Sequence, residues 1–321
     1  ESNRFHSLPS MHPEEFASTK PGAYPQTMEL ELSNNCNLQC VMCSGRVSSA
    51  IRQNRDKLPP LKLPYDDSFV EQLKEFLPHL KHISFYGGEP FLIDIYYKIW
   101  EQIIKINPDI LIFVVTNGTI YNRRIEDLLK KAKFNFLVSI DSLNKEIFES
   151  IRVGANFENV MHNLQKFIEL TNGQLAISHT PMKINWMETP EIVNYCNNKN
   201  LTLNLSYVEK PAKYALWSFQ PHELEKVITF YDNSEIKTNH NSIISSYNIK
   251  VFNEWKEQVQ FFKTKNSEII AKYQNINAEF ENYNIEFKQS LIKLFDTLPF
   301  DSMGIDSALK LANNIIENTK I

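Results

Sequence analysis

Glycine and cysteine are scarce in this chain: its 321 residues hold eight of the first and four of the second. So few cysteines exclude the disulfide scaffold that stabilises small secreted domains. No uninterrupted apolar run reaches the roughly 18 residues of a membrane-spanning helix. The amino end, ESNRFHSLPSMHPEEF, has no apolar signal core either. A strong charge of one sign is also missing, since the net charge is only -4. That gives no electrostatic footprint for nucleic acid. The expectation is a protein of the reducing cytoplasm, with neither membrane nor nucleic acid as a partner. What is plentiful is apolar residues, 42% of the chain, enough to bury a sizeable core.

The few cysteines are not scattered. SNNCNLQCVMCSG, residues 33–45, holds Cys36, Cys40 and Cys43 in a C-x3-C-x2-C spacing. An odd number leaves a thiol over from any disulfide pairing, and a structural zinc site takes four ligands. Three thiolates suit an iron–sulfur cubane with one iron left open. A zinc site completed by a distant histidine, or buried free thiols, would use the same residues. Cys196, in EIVNYCNNK, falls within a helical pattern and reads as a small packing side chain.

Glycine is placed as selectively: Gly45, Gly87, Gly88, Gly118 and Gly154 lie in or beside strand-end segments. In GGEP, residues 87–90, the two glycines leave main-chain groups open to close approach, and Pro90 keeps Glu89 extended. By itself such a segment is also an ordinary strand-to-helix turn.

Runs rich in β-branched and aromatic residues read as strands over 28–33, 82–87, 109–116, 134–141, 174–181 and 201–208. Helical patterns separate them: a segment capped at Ser68 with Glu71 three residues on, then 95–107, 123–133, 156–170, and 189–200 with Pro190 in its first turn. Strands alternating with helices imply right-handed crossovers and a parallel sheet, open or curled toward a barrel. Chemistry in such folds gathers at the carboxyl ends of the strands. Beyond about residue 211 strand signals fade, and helices are expected over 222–232, 248–265, 268–295 and 307–318. The expected organisation is an extension over 1–25, a core over 26–210 and a helical region over 211–321.

CNLQCVMC, GGEP, TNG (116–118) and SIDS (139–142), in this order on successive strands, resemble the radical S-adenosylmethionine (SAM) superfamily. The resemblance runs over about 26–210 and leans toward the maturase-like subgroup related to SPASM and twitch proteins. It implies an α/β fold, a partial (β/α)6 barrel with a largely helical carboxyl-terminal region. It implies a 4Fe–4S cluster on Cys36, Cys40 and Cys43, with SAM chelating the open iron. Met42 would lie against the adenine, where relatives often carry an aromatic residue. Gly87, Gly88, Glu89 and Pro90 would receive the methionine amino group, Ser139 the ribose with Asp141 nearby, and Arg152 the carboxylate; Asn117 belongs to the family's turn. No cysteine follows Cys196, so a carboxyl-terminal auxiliary cluster is not expected.

The chemistry implied is reductive cleavage of SAM to a 5′-deoxyadenosyl radical that takes a hydrogen atom from substrate, with flavodoxin or ferredoxin as reductant. The expected substrate is a peptide or protein side chain, with Tyr214, Trp217 and Phe219 lining a groove. The alternatives are a sugar or other small metabolite, or a non-catalytic iron–sulfur scaffold or partner-recognition protein. Polar groups on the last two strands that can face substrate are His179, Thr180, Lys183, Asn204, Ser206, Tyr207 and Glu209.

Overall fold

A computed structural model describes residues 24–171, 173–238 and 242–280, with side chains as far as residue 271. Six strands, β1 (Thr27–Leu30), β2 (His82–Phe85), β3 (Leu111–Thr116), β4 (Lys133–Ser139), β5 (Leu175–His179) and β6 (Thr202–Leu205), form one sheet in chain order. Every neighbouring pair is parallel. The helices are α1 (Ser49–Asn54), α2 (Asp67–Leu73), α3 (Asp94–Ile106), α4 (Arg123–Leu129), α5 (Lys145–Ile151), α6 (Phe157–Leu170), α7 (Thr189–Lys199), α8 (Pro221–Asp232) and α9 (Ile243–Phe280). Strict chain order is the winding of a (β/α) barrel. Here it stays open between β1 and β6, the partial barrel expected from the sequence.

Alternation along each strand sorts residues to two faces. One set, including Leu30, Phe85, Val114, Phe136, Ile177 and Leu203, enters the main core with Trp100 and Phe167 from the helices. Trp100 is completely buried, with ring centroids 5.1 Å from Tyr97 and 5.3 Å from Phe85. The opposite face carries only a small apolar patch, Phe113, Leu137 and Ala176, flanked by Tyr86 and Val115. Polar residues occupy the rest of it near the carboxyl ends. Ser139, Ser178 and Asn204 are in register there across β4, β5 and β6.

Some boundaries differ from expectation for local reasons. β1 stops at Leu30, well before Ser33, because the Tyr96 hydroxyl replaces the ladder. It accepts the Leu32 N–H at 2.9 Å and lies 3.0 Å from the Leu30 carbonyl and 2.7 Å from that of Tyr86. The chain is thereby released into the cysteine segment. Helix α2 is capped by Asp66, not Ser68: its carboxylate accepts from the Ser68 N–H at 2.9 Å. The two helices expected over 248–265 and 268–295 are one helix, α9, as far as Phe280; the rest of the second, and the one expected over 307–318, lie outside the described residues.

Residues after 211 share the core of the sheet, through Leu216, Leu224, Val227, Tyr231, Phe252, Trp255, Val259 and Phe262. Asn248, fully buried, fastens α9 to β6 and α7: its amide donates to Asn197 and to the Leu201 carbonyl, and its oxygen accepts from the Leu203 N–H.

Candidate functional site

The segment that leaves β1 is pinned from both sides. Gln39 N–H donates to the Val153 carbonyl at 2.8 Å and Val41 N–H to that of Ile151 at 2.9 Å, tying it to the end of α5. On the other side Ser49 Oγ accepts from Cys36 N–H at 3.1 Å, and Ser48 Oγ donates to the Leu38 carbonyl at 2.6 Å. The short helix α1 exists to make these bonds, which is why its sequence carries only one core side chain, Ile51. Cys43 N–H closes a turn on the Cys40 carbonyl at 3.0 Å, bringing those two thiols together. All three thiols are free; Cys40 is buried, while Cys36 and Cys43 are half-buried. The thiol hydrogen bond from Cys40 lowers Cys43 to about 7, and Cys40 is correspondingly raised. Burial raises Cys36.

Around them the strand ends bring polar groups into reach. Asn117 Nδ2 lies 3.9 Å from Cys36 Sγ and donates to Asn37 Oδ1 at 3.1 Å. Arg152 Nη1 lies 3.9 Å from Cys40 Sγ, while its Nη2 pairs with Asp141 Oδ2 at 2.8 Å. Asp141 is in turn fixed by the Thr180 N–H at 2.9 Å. The Arg152 Nε, though buried, has no hydrogen-bond partner among the described residues. Among the described residues no three His, Cys, Asp or Glu side chains are gathered to hold a single metal ion.

The glycines at the end of β2 are required by the cysteine segment itself. Gly87 and Gly88 have φ of +82° and +43°, and a Cβ on Gly88 would lie 2.1 Å from the Asn35 carbonyl oxygen. Glu89 N–H donates to that same oxygen at 2.7 Å. The two loops are therefore one unit. Gly88→Ala is expected to lower unfolding free energy by at least about 1–2 kcal/mol from the left-handed backbone alone, with the clash on Asn35 adding to it. Urea denaturation of the apoprotein measures this, and a variant within about 0.3 kcal/mol of wild type would contradict the packing.

Glu89 is completely buried. Its Oε1 accepts from Thr116 Oγ1 at 2.8 Å and Phe91 N–H at 3.2 Å, and its Oε2 from Asn117 N–H at 2.7 Å. Burial nevertheless pushes the carboxyl up to about 7. Pro90 opens a short 3-10 turn behind it. Ser139, the last residue of β4, is half-buried on the polar face. Met42, also half-buried, packs with Ile151, Met182, Val208 and Ala215.

Other polar candidates are engaged elsewhere. His179 is completely buried, 3.1 Å from Thr189 Oγ1, and burial lowers it to about 4. Lys183 donates to the Ser218 carbonyl at 3.4 Å and lies over the Phe219 ring. Tyr207 meets the Phe262 ring, Thr180 and Ser206 hydrogen-bond each other at 3.0 Å, and Glu209 is exposed. Sequence reasoning missed Asn185, which holds the ends of β4 and β5 together by donating to the Asp141 and Thr180 carbonyls. The Asn-rich composition hid it.

Residues 30–196, just over half of the chain, match the Radical SAM superfamily. The chain belongs to that superfamily. It is 25% identical over 190 residues to a probable GTP 3′,8-cyclase of Methanocaldococcus jannaschii, covering 58% of this chain and 60% of that one. Molybdenum cofactor biosynthesis protein 1 of Dictyostelium discoideum is 27% identical over 195 residues, 60% of this chain and 30% of that one. The chain thus spans less than two thirds of each of these relatives. Among solved structures, Streptococcus suis SuiB bound to S-adenosylmethionine is 15% identical with a TM-score of 0.48, over 65% of this chain and 47% of that one. Radical SAM proteins are enzymes that use a 4Fe–4S cluster and SAM, and they need a reductant. The residues present fit that pair. Three free thiols are soft donors of the kind a cluster takes. Each would bind its own iron, so they need not converge as the ligands of one ion do. Beside them, the buried Arg152 Nε is an unused donor.

Proposed function

We propose that Cys36, Cys40 and Cys43 each supply one thiolate to the cluster, and that the strand-end cradle around Glu89, Asn117, Ser139 and Arg152 holds SAM. Bound there, cluster and SAM supply a radical able to take hydrogen from an unactivated carbon. The chain's own residues bind and orient. Arg152 sets a positive charge against Cys40, offsetting the negative charge that thiolates bring to a buried site. Its Nε, unpartnered among the described residues while Nη2 pairs with Asp141, is a donor available to the SAM carboxylate. Glu89 anchors the cradle and keeps one Oε2 lone pair for the amino group. Met42 offers apolar surface to the adenine.

The observation that carries the substrate reading is the chemistry of the open face. Its row at the carboxyl ends, Ser139, Ser178 and Asn204, is neutral, and Asn204 Oδ1 accepts no hydrogen bond among the described residues. Neither Lys nor Arg joins this row: Arg152 pairs with Asp141 and leaves its Nε for SAM, and Lys183 donates to the Ser218 carbonyl. A polyphosphate asks for several cations; an amide-rich chain asks for neutral donors and acceptors. This supports a peptide or protein side chain as substrate, as in maturase-like enzymes. Of the aromatic groove expected from Tyr214, Trp217 and Phe219, Tyr214 packs on the small cluster that also holds Met42, and the other two are turned to the core. Trp217 Nε1 donates to the Val208 carbonyl, and Trp217 and Phe219 pack on the core.

A second reading, a small metabolite, is favoured by the relatives named as GTP 3′,8-cyclases. Mass spectrometry separates the two. Reconstituted enzyme with SAM and dithionite is expected to change the mass of peptides encoded beside it and to leave GTP intact. Consumption of GTP with every peptide unchanged would establish the metabolite reading.

A further inference from the structure

The turn that follows β5 grips the loop that leaves β4. Asn185, in that turn, is 1% exposed, and its amide is wholly engaged by the backbone. Its Nδ2 donates to the Asp141 carbonyl at 2.7 Å and to the Thr180 carbonyl at 3.1 Å, while its Oδ1 accepts the Met182 N–H at 2.6 Å. Only this orientation of the amide meets two acceptors and one donor. Glu188, three residues on, takes up the next stretch of the same loop. Its Oε2 accepts from Ser142 Oγ at 2.5 Å and from the Leu143 N–H at 3.0 Å. The last bond between the two strands joins the Ile140 N–H to the Ser178 carbonyl at 2.9 Å. Past it, Asp141 is held by the Thr180 N–H on Oδ1 and by Asn185 on its carbonyl. The buried Asp141 makes the one ion pair of Arg152 among the described residues, Oδ2 to Nη2 at 2.8 Å. The backbone around Arg152 is fixed separately: its N–H donates to the Phe148 carbonyl at 2.8 Å, and the Ile151 carbonyl accepts from the cysteine segment. Those bonds leave the long side chain free to turn. Asp141 decides where it points.

We propose that Asn185 is a positioning residue for SAM: by fixing Asp141 it sets the direction of the Arg152 guanidinium, and with it the grip on the methionine carboxylate. The inference rests on the reading of Arg152 given above. Asn185 acts through two other side chains, its own amide being turned to backbone groups. With it in place, Nη2 stays on Asp141 and Nε is left towards the cofactor. Without it, the Asp141 carbonyl is buried with no donor, and only the Thr180 N–H restrains the carboxylate. A charge-assisted pair that loses its fixed geometry loses much of its strength.

The test is equilibrium dialysis of radiolabelled SAM against anaerobically reconstituted, oxidised enzyme, which needs no turnover. Asn185→Ala is expected to weaken binding about tenfold or more, the scale of one charge-assisted hydrogen bond. Binding of 5′-methylthioadenosine, which keeps adenine and ribose but has no carboxylate, should stay within about twofold of wild type. Arg152→Ala/Asn185→Ala should bind SAM no more weakly than Arg152→Ala, because one residue acts through the other. Asn185→Asp keeps the shape and the acceptor for Met182 but loses both donors, and it serves if the alanine variant does not fold. Losses that add in the double variant, or an equal loss for methylthioadenosine, would overturn the proposal by showing that Asn185 merely supports the pocket. So would SAM binding at wild-type strength in both Asn185 variants. If Arg152→Ala alone binds SAM as wild type does, the reading of Arg152 fails and takes the proposal with it, an outcome read from that single variant.

Discussion

Replacing Cys36, Cys40 and Cys43 together by alanine is expected to take anaerobically reconstituted protein from about four irons per chain to none. The broad absorption of the cluster and the release of 5′-deoxyadenosine should disappear with it. The fold should survive. Only Cys40 of the three is buried, and the segment is held by backbone bonds to Ile151 and Val153 and by the Ser48 and Ser49 hydroxyls, none of which involves a thiol. The apoprotein of the variant should therefore keep the far-ultraviolet circular dichroism of wild-type apoprotein. Cys196→Ala is the control. It is fully buried in the main core, where burial raises its thiol out of reach of ionisation at neutral pH. That variant should keep its iron and lose about 1 kcal/mol of stability from the small cavity. Iron retained by the triple variant, or zinc found in place of iron in the wild type, would show the thiols to have another purpose.

Much of this was open to reading from the chain alone. The six strands are legible because each is a β-branched or aromatic run, the near-continuous apolar pattern that strands of a parallel sheet show. GGEP is legible because few turns need two left-handed glycines in succession, and the cysteine spacing marks the segment against which that turn packs. What escaped depends on contacts between distant segments. Helix α1 has one buried side chain and no periodicity worth the name; its reason is the cysteine segment it pins. The early end of β1 is the work of the Tyr96 hydroxyl, 64 residues from the Leu32 N–H it accepts. Arg152 was expected to face SAM, and the sequence offered no sign that Asp141, from the end of β4, would pair with it first. Trp217 and Phe219 looked like a ligand groove because aromatic residues serve core and groove equally well in sequence. Only the packing of the segment before α8 onto the sheet decides between them.

Glu89 carries the second large effect. Three donors from two different segments converge on its carboxylate: the Thr116 hydroxyl and Asn117 N–H at the end of β3, and the Phe91 N–H. Its own N–H holds the Asn35 carbonyl of the cysteine segment. Removing the side chain leaves those donors buried without an acceptor, at about 1–3 kcal/mol each where water cannot enter. Glu89→Ala apoprotein is therefore expected to lose several kcal/mol, and Glu89→Gln less, since the amide keeps one oxygen acceptor.

The pH dependence gives a sharper signature. Burial raises the carboxyl from 4.5 to about 7 in the folded protein. Between those values the folded state holds a proton that the unfolded chain has released. Stability from this group is thus greatest below about pH 4.5 and falls as pH rises towards 7, by at most about 1.4 kcal/mol per pH unit. Above 7 both states are ionised and the contribution is level. Comparing urea unfolding of wild-type and Glu89→Gln apoprotein from pH 5 to 8 isolates this, because glutamine does not titrate. The wild type should lose stability relative to the variant as pH rises to about 7. A difference between the two that is flat across that range would mean that the carboxyl is ionised throughout and its three hydrogen bonds outweigh its burial. With SAM bound, its amino group would bring positive charge to the free Oε2 lone pair, favouring the ionised form. Loss of that charge-assisted bond in Glu89→Gln should slow 5′-deoxyadenosine release by about tenfold or more, even at a pH where the variant is fully folded.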